Sequence, residues 1–371
     1  MQLRYRKQAT AAGVAVVALT LTLGACSSSG TSAPSGGSTG DTGTATSGGG
    51  SANLSGTLNG SGSTFQLSFQ QAAIQAFKSV QSGLTVNYGG GGSGKGRTDL
   101  ASGTVNFAGS DSTIPSKEAS NFTGKTVLYF PVVIGPITLS YNLSGVSNLK
   151  LDATVIAGIF SGKITKWNDP AITALNSGTS LPSTPITIAV RSDSSGTTQN
   201  FSLYLEKAAG SAWTLGSSST IKWPSAARAG SGNPGVASII KSTPGAIGYV
   251  DYADAKASGL TFASVKNSSG DYVAPSPTAA SAAGNGITIA PNLTFAAVDS
   301  PNASAYPITY QSWDLVYEMQ PNANDVALLK AYIGYLISPT GGQALLGNLG
   351  YAPLPSGLQQ MAQAQLSKIT S

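Results

Sequence analysis

The sequence predicts an α/β protein with two lobes, and two observations lead to that prediction. Strand-like and helix-like patterns alternate from Leu54 to Pro131, as expected for helices layered on a sheet. Two long runs of β-forming residues, Val127 to Tyr141 and Ala305 to Val316, are each suited to cross from one lobe to the other. Two crossings make each lobe discontinuous in sequence and form a two-stranded hinge. We therefore expect a ligand cleft between the two lobes.

The N-terminus has the pattern of a lipoprotein precursor. Three basic residues lie within the first seven positions, and an apolar run from Ala11 to Leu23 follows. The sequence Leu-Gly-Ala-Cys then ends at Cys26, the only cysteine of the chain. The apolar run is shorter than the roughly 20 residues that a membrane span needs. We predict a signal peptide over residues 1–25 and lipidation of Cys26, which anchors the protein on the outer face of the cytoplasmic membrane, at the cell surface or in the periplasm.

The segment from Cys26 to residue 53 is rich in Ser, Gly and Thr and nearly free of apolar residues. Because such a composition cannot form a core, it predicts a flexible linker, and the folded part begins near Leu54. The net charge of +5 falls to +2 once the three basic residues of the signal peptide are removed. Charged residues make up only 9% of the chain, and no basic cluster suited to nucleic acid is evident.

The composition argues against an enzyme. The chain has no histidine, which excludes a Ser-His-Asp triad and histidine metal ligation, and its single predicted-lipidated cysteine excludes a thiolate zinc site. Gly89, Gly94 and Lys95 have the spacing of a phosphate-binding P-loop, but Gly96 stands where that motif requires Ser or Thr. We therefore predict no catalytic activity, no cofactor and no metal.

Three Gly/Ser/Thr-rich turns each follow a strand pattern or precede a helix pattern. One runs from Arg191 to Thr198, between the strand-like Ile186–Val190 and a helical run from Gln199 to Ala209. The other two run from Leu58 to Phe65 and from Gly89 to Gly96. A helix N-terminus presents unpaired N–H groups and partial positive charge, and hydroxyls and a guanidinium add further donors. Three such turns predict convergence on one anion.

A fourth segment predicts which anion. Val105 to Asp111 has the pattern of a strand that ends in a carboxylate. An ionised carboxylate accepts hydrogen bonds but cannot donate them. Placed beside an oxyanion, it favours an anion that still carries a proton, such as phosphate, and rejects fully ionised sulfate.

These segments together resemble the substrate-binding protein of the bacterial ABC-type phosphate transporter. The resemblance covers roughly Leu54 to Pro355 and keeps the order of the family's segments. The matching segments are Gly60-Ser-Gly-Ser-Thr-Phe65, Tyr88-Gly-Gly-Gly-Gly-Ser93-Gly, Phe107-Ala-Gly-Ser-Asp111, Phe160-Ser-Gly-Lys-Ile-Thr-Lys-Trp-Asn168, Arg191-Ser-Asp-Ser-Ser-Gly-Thr197, Thr243-Pro-Gly-Ala-Ile-Gly-Tyr-Val250 and Tyr306-Pro-Ile-Thr-Tyr310. In the first segment Gln66 replaces the family's usual proline, which loosens a helix's first turn slightly and removes no ligand.

The resemblance implies a role for each matching residue. Asp111 accepts the phosphate proton, and Asp193 holds Arg191, whose charged fork contacts the anion. The remaining residues supply hydroxyl or backbone donors: Thr64, Phe65, Ser93, Ser195, Gly196 and Thr197. It also implies a periplasmic-binding-protein-like fold, with domain I over residues 54–133 and 310–371 and domain II over residues 134–309.

Other elements complete the expected fold. The sequence predicts one helical face in the first domain formed by Phe69, Ala73, Phe77 and Val80. Further patterns predict helices over Leu149–Phe160, Val326–Ile337 and Gly341–Leu349, a turn and strand over Thr243–Val250, and a surface excursion over Asn267–Asn285.

The function implied by the resemblance is capture of inorganic phosphate outside the cell and delivery to the permease subunits of an ABC importer. The expected state is a lipid-anchored monomer that binds no nucleic acid. Two alternatives use the same fold: a secreted phosphate sensor or adhesin, and a phosphatase-like protein. Only Asp111 and Asp193 bring carboxylates to the motifs, whereas a metal-dependent phosphomonoesterase usually needs a cluster of them.

Overall fold

A large mixed sheet forms the centre of the protein. The structure, a computed structural model, describes residues 54–371, so the predicted signal peptide, Cys26 and the linker lie outside the described residues. Within that range the strands of the large sheet follow the order β2-β1-β3-β12-β4-β8-β6-β7, and β9 also pairs with β4. A small sheet has the order β11-β10-β5. The strands are β1 (Gly56–Gly62), β2 (Leu84–Gly89), β3 (Phe107–Ser110), β4 (Val127–Tyr141), β5 (Lys150–Leu151), β6 (Thr187–Arg191), β7 (Arg228–Gly230), β8 (Ala246–Asp251), β9 (Thr261–Phe262), β10 (Ser264–Lys266), β11 (Tyr272–Val273) and β12 (Thr309–Tyr317).

Helices cover the sheet, and short polar side chains start many of them. Asp152, Asp169 and Ser195 each accept a hydrogen bond from a backbone N–H in the first turn of the following helix. The helices are α1 (Leu67–Phe77), α2 (Ser93–Ala101), α3 (Ala153–Phe160), α4 (Pro170–Leu175), α5 (Gly196–Ala208), α6 (Gly232–Ser242), α7 (Tyr252–Ala257), α8 (Pro277–Gly284), α9 (Ala323–Ile337), α10 (Gly342–Leu349) and α11 (Ser356–Gln365), with 3₁₀ turns at Ser116–Phe122, Gly210–Ala212 and Leu366–Lys368.

Strand β4 joins the two halves of the large sheet. Its residues Val127 to Pro136 pair with β12, and its residues Ile137 to Tyr141 pair with β8. We call β1, β2, β3, β12 and the first part of β4 the first half-sheet, and the last part of β4 with β6, β7, β8 and β9 the second half-sheet. Nearly every residue of β4 is buried, as expected for an apolar strand covered on both faces. Proline lacks an N–H, and Pro131 accordingly lies where β12 has a register irregularity between Ser312 and Trp313.

The fold confirms the α/β class and the main elements, with local corrections. Residues Lys150 and Leu151 form strand β5, so the helix predicted from Leu149 begins only at Ala153, after its Asp152 cap. Strand β12 begins at Thr309, later than the predicted start at Ala305, although the Ile308 carbonyl still accepts from Ile137 N–H at 2.8 Å. These differences arise because hydrogen-bond partners, rather than the apolar pattern, decide where an element begins.

Two further predictions were wrong in part. Val80 lies beyond the end of α1 and is 54% exposed, so the apolar face of that helix ends at Phe77. The predicted surface excursion contains helix α8, which buries Ala279, Ala280 and Ala283. Because its residues are small, this helix lies close to the sheet. A composition of Ala, Ser and Gly is more typical of a loop, so the sequence pattern did not predict a buried helix here.

A buried carboxylate on β12 makes stability depend on pH. Asp314 is fully buried, and Gln70 Nε2 donates to its two oxygens at 2.9 and 3.2 Å. Burial raises the pKa of Asp314 to about 7, despite the hydrogen bonds from Gln70 and Gln66. Because the folded state holds this proton more tightly than the unfolded chain, the contribution of Asp314 to stability is present in full below about pH 4 and is lost as pH rises through about 7, a change of about 4 kcal/mol for this group.

Substitution of Asp314 by asparagine should remove that part of the pH dependence, because an amide does not titrate. Urea midpoints of both proteins between pH 4.5 and 8.5 measure the effect, and the wild type should weaken more steeply than Asp314→Asn as pH rises. Parallel curves would show that Asp314 does not titrate in this range.

Candidate functional site

The site lies where the carboxyl ends of strands from both half-sheets meet. Strands β1, β2 and β3 are mutually parallel around β1, and β6 runs parallel to both β7 and β8. Ligands of open α/β sheets bind outside the carboxyl ends of parallel strands. Two of the predicted Gly/Ser/Thr-rich turns, from Gly89 to Gly96 and from Arg191 to Thr198, follow such strands, whereas the segment from Leu58 to Phe65 is part of β1 up to Gly62 and turns only after it. The three turns lead into α1, α2 and α5.

Asp111 follows β3 and accepts hydrogen bonds from three serines. Ser63 Oγ donates to its Oδ1 at 2.5 Å and Ser312 Oγ to the same oxygen at 2.6 Å, while Ser93 Oγ lies 3.3 Å from Oδ2. The carboxyl is fully buried. Burial raises the pKa of Asp111, and the hydrogen bonds from Ser312 and Ser63 and the positive charge of Arg191 offset only part of that rise. Asp111 is therefore a carboxylate with increased affinity for a proton.

Arg191 ends β6 and is held in a fixed orientation. Its Nε donates to Asp193 Oδ1 at 2.8 Å and its Nη2 to Oδ2 at 2.5 Å, a bidentate pair. Its Nη1 lies 3.2 Å from Thr197 Oγ1. Burial alone would raise the pKa of Asp193, but the hydrogen bonds and charge of Arg191 outweigh it and the pKa is lowered. Asp193 is thus ionised, as predicted for a residue that orients the guanidinium.

The start of α5 lies directly against the first half-sheet. Ser195 Oγ caps the helix by accepting from Thr198 N–H at 3.1 Å, and Ser195 N–H donates to the Ser219 carbonyl. A Cβ atom on Gly196 would lie 2.4 Å from Ser93 Oγ and 2.6 Å from Asp111 Cβ, so only glycine permits this approach. Apart from the Thr198 N–H that Ser195 caps, the first N–H groups of α5 have no partner within the helix, which makes them donors for an anion.

Thr64 and Phe65 precede α1, which begins at Leu67, so this turn leads into a helix as expected. Phe65 N–H donates to Ser63 Oγ at 3.1 Å, and the Phe65 ring packs on Tyr310 with centroids 4.0 Å apart. Thr64 is buried and its Oγ1 accepts from Asn233 N–H at 3.2 Å. Thr64 therefore contacts the second half-sheet's helix α6, whereas Phe65 packs on β12 of the first half-sheet.

The structure brings all the predicted site residues into one region. Ser93 and Asp111 contact each other and adjoin Gly196; Arg191 and Thr197 contact each other; and Asn233 links Thr197 to Thr64. The arrangement combines helix N-termini, hydroxyls and one guanidinium with a buried carboxylate. It can therefore bind a tetrahedral oxyanion that retains a proton to give to Asp111.

Several neighbours of the site were not predicted. Ser63 lies inside the first motif and could have been included with it. Asn233 follows Gly232 at the start of α6, in a fourth Gly-containing turn after a strand, so the same pattern also applies there. No local signal indicates the two residues on other elements: Asn200, whose Nδ2 donates to the Asp111 carbonyl at 2.7 Å, and Ser312.

A cavity of 610 Å³ opens beside Asp111. Its wall contains Trp313 and Phe295, which contact each other edge to face, and the amide side chains Gln199, Asn200 and Gln311. Trp313 therefore adjoins the site, whereas Trp167 is buried elsewhere and donates to the Gly245 carbonyl at 3.0 Å. Trp313 is thus suited to report ligand binding by fluorescence.

No group of three or more His, Cys, Asp or Glu side chains that could hold a metal ion occurs among residues 54–371. Over the same residues, no helix has both the length and the apolar character that crossing a bilayer requires.

Comparisons with known proteins point to one family. The PBP superfamily domain matches residues 44–340. "Phosphate-binding protein PstS 3" of Mycobacterium leprae is 35% identical over 308 residues, which cover 80% of this chain and 82% of that protein. "Phosphate-binding protein PstS" of Pasteurella multocida is 35% identical over 292 residues, 77% of this chain and 83% of that one.

A solved structure supports the fold. The high-affinity periplasmic phosphate-binding protein PfluDING, determined with bound phosphate, superposes with a TM-score of 0.71 at 22% identity and covers 84% of this chain and 94% of its own. The superposition confirms the expected periplasmic-binding-protein-like architecture. Since relatives at 35% identity match over most of their length, the chain belongs to the family of PstS phosphate-binding proteins within the PBP superfamily.

Proposed function

We propose that the protein captures inorganic phosphate outside the cell and delivers it to the permease subunits of an ABC-type importer. The observation that carries the proposal is a buried carboxylate, Asp111, set among donors to an anion. A carboxylate oxygen at this position accepts a hydrogen bond from the proton of phosphate, whereas it repels sulfate, which has no proton to donate. Calorimetry of residues 54–371 with phosphate and with sulfate tests this, and tight phosphate binding with little sulfate binding is expected. Equal binding of both anions would refute it.

The proposed ligand contacts are those that the family resemblance implies. Arg191 supplies the charged fork with Asp193 as its support, and Asp111 accepts the phosphate proton. The other contacts are hydroxyl and backbone donors from Thr64, Phe65, Ser93, Ser195, Gly196 and Thr197. Some of these residues take part in hydrogen bonds between the two half-sheets. An anion bound among them would contact both half-sheets, which supports this assignment.

The proposed domains are residues 54–133 with 310–371, and residues 134–309. The division of β4 between β12 and β8 supports a boundary near Pro136. The two connections at the hinge are then β4 and the chain entering β12. A two-stranded hinge suits closure around a small ligand.

A binding role without turnover is part of the proposal. The chain has no histidine, and Asp111 and Asp193 are both committed to hydrogen bonds with neighbouring side chains. Incubation with a phosphomonoester should release no phosphate beyond the uncatalysed rate. We further propose that the protein acts as a monomer without a cofactor and without nucleic acid.

The remaining part of the proposal is a lipid anchor at Cys26 that holds the protein on the outer face of the cytoplasmic membrane. Replacement of Cys26 by serine removes the thiol that would carry the lipid, so metabolic fatty-acid labelling should disappear in Cys26→Ser and the protein should be released from membranes. Fatty-acid label retained by the variant would rule the anchor out.

A further inference from the structure

Asn233 contacts proposed ligand residues of both half-sheets. It is the second residue of α6, which follows β7 in the second half-sheet, and it is fully buried. Its backbone N–H donates to Thr64 Oγ1 at 3.2 Å, and its Nδ2 lies 3.3 Å from the same oxygen and 3.4 Å from Thr197 Oγ1. Thr64 follows β1 in the first half-sheet. One side chain thus connects two threonine hydroxyls that come from opposite sides of the cleft.

The turn that carries Asn233 is tied to the guanidinium pair. Gly232 has a φ of 66°, and its N–H donates to Asp193 Oδ1 at 3.1 Å. Asp193 in turn holds Arg191. The position of Asn233 is therefore set by the same ion pair that orients the charged donor.

The count of donors and acceptors shows what Asn233 does to Thr64. A threonine hydroxyl has one O–H to donate and two lone pairs that accept. Two N–H donors of Asn233 point at Thr64 Oγ1, and among the described residues that hydroxyl donates to no acceptor. With both lone pairs occupied, the proton of Thr64 is free to be given to an anion.

The hydroxyl of Thr197 also accepts hydrogen bonds from nitrogen donors. Its Oγ1 receives Nη1 of Arg191 at 3.2 Å and Nδ2 of Asn233 at 3.4 Å, and Tyr310 Oη is its other neighbour, at 3.4 Å. Two nitrogen donors again occupy the acceptor side of the hydroxyl. The O–H of Thr197 is left to Tyr310 or to a bound anion.

One polar atom of Asn233 lowers the stability of the fold. Its Oδ1 is buried and has no hydrogen-bond partner among residues 54–371. A buried acceptor left without a partner costs free energy. An asparagine at this position therefore needs a reason other than stability of the fold.

We propose that Asn233 is a positioning residue of the phosphate site, which turns the hydroxyls of Thr64 and Thr197 towards the ligand as donors and links the two half-sheets when the ligand is held. The inference rests on the proposed function and adds a residue to its site. It acts through the two threonines and requires no contact of its own with phosphate.

The test uses the purified protein and phosphate titrations of Asn233→Ala and Asn233→Asp. Asn233→Ala should lower phosphate affinity by about ten-fold, because the hydroxyls lose their orientation. Asn233→Asp should lower it further, since a carboxylate draws the Thr64 proton away from the ligand and repels the anion. Thermal unfolding of both ligand-free variants is measured alongside, because a buried carboxylate costs desolvation free energy, so that affinities are compared only between folded proteins.

The matched control is Asn142→Ala. Asn142 Nδ2 donates to the carbonyls of Ile240 and Lys241 at 2.9 and 3.0 Å, at the other end of α6. This variant disturbs the same helix without approaching the site, so its phosphate affinity should stay within about two-fold of wild type.

A double-mutant cycle separates orientation from a purely structural effect. In a Thr64→Val background the hydroxyl is gone, so Asn233→Ala should cost clearly less affinity than it does in wild type. An equal loss in both backgrounds, or unchanged affinity in Asn233→Ala, would overturn the inference while leaving phosphate binding by the wild type intact. Absence of phosphate binding by the wild type would instead remove the proposed function, and this inference with it.

Discussion

Asp111→Asn is expected to reduce the preference of the protein for phosphate over sulfate by roughly 10–100-fold, the value of one hydrogen bond to a charged group. The other proposed ligand groups are donors, and they favour any tetrahedral oxyanion. Only the carboxylate distinguishes an anion that carries a proton from one that does not. An asparagine keeps the size of the side chain and supplies an amide that can donate, so sulfate binding should rise while phosphate binding persists or falls modestly.

The raised pKa of Asp111 gives a second expectation for the same experiment. As the solution is acidified towards that raised pKa, Asp111 takes up a proton and becomes able to donate. Wild-type binding of sulfate should therefore strengthen at low pH. The Asp111→Asn variant, which has no proton to gain at this position, should respond less.

Side-by-side titrations with phosphate and sulfate at neutral pH measure the preference. Asp314→Asn is the matched control, because Asp314 is also a buried carboxylate and its hydrogen-bond donors are Gln70 and Gln66, outside the proposed ligand set. Its preference should equal that of the wild type. If Asp111→Asn also keeps the wild-type preference, then Asp111 does not detect the proton.

Arg191→Ala is expected to weaken phosphate binding by about 10–100-fold, since a charge-assisted hydrogen bond contributes roughly 1.5–3 kcal/mol. The substitution also leaves Asp193 without its bidentate partner. Because that carboxylate is ionised, it then adds repulsion for the anion. Arg191→Lys should recover only part of the loss, because lysine has no planar fork to contact Asp193 and the anion together.

Titration of phosphate into both variants measures these losses. Arg228→Ala is the control, since Arg228 also lies in the second half-sheet but is exposed, with Nη1 2.8 Å from Thr243 Oγ1. It should bind phosphate as the wild type does. Wild-type affinity in Arg191→Ala would exclude the guanidinium from the site.

The sequence alone determined the chemistry of the anion site. The turn after β6 places Arg191, Asp193 and the start of α5 within a few residues of one another. Their proximity in space can therefore be predicted from the local sequence. The same holds for the strand that ends in Asp111. Strand β4 was also predictable over its full length, because this run of 15 residues is rich in the β-branched and aromatic residues that favour strands.

Elements with weaker patterns were not predictable to the same degree. Helix α8 consists largely of small residues, and its burial depends on the sheet beneath it. Lys150 and Leu151 become a strand because β10 offers them a partner, although their sequence continues into a helix. In both cases tertiary contacts outweigh local propensity.

Only the tertiary structure decided which residues complete the site. Ser312 reaches Asp111 across a separation of 201 residues, and Asn233 reaches Thr64 across 169. Such contacts depend on the order and register of strands in the sheet, and a shift of one residue along β12 would turn Ser312 to the opposite face. The local sequence can predict where a helix starts or a strand ends. Which of these ends lie next to each other depends on the strand order and register of the whole sheet.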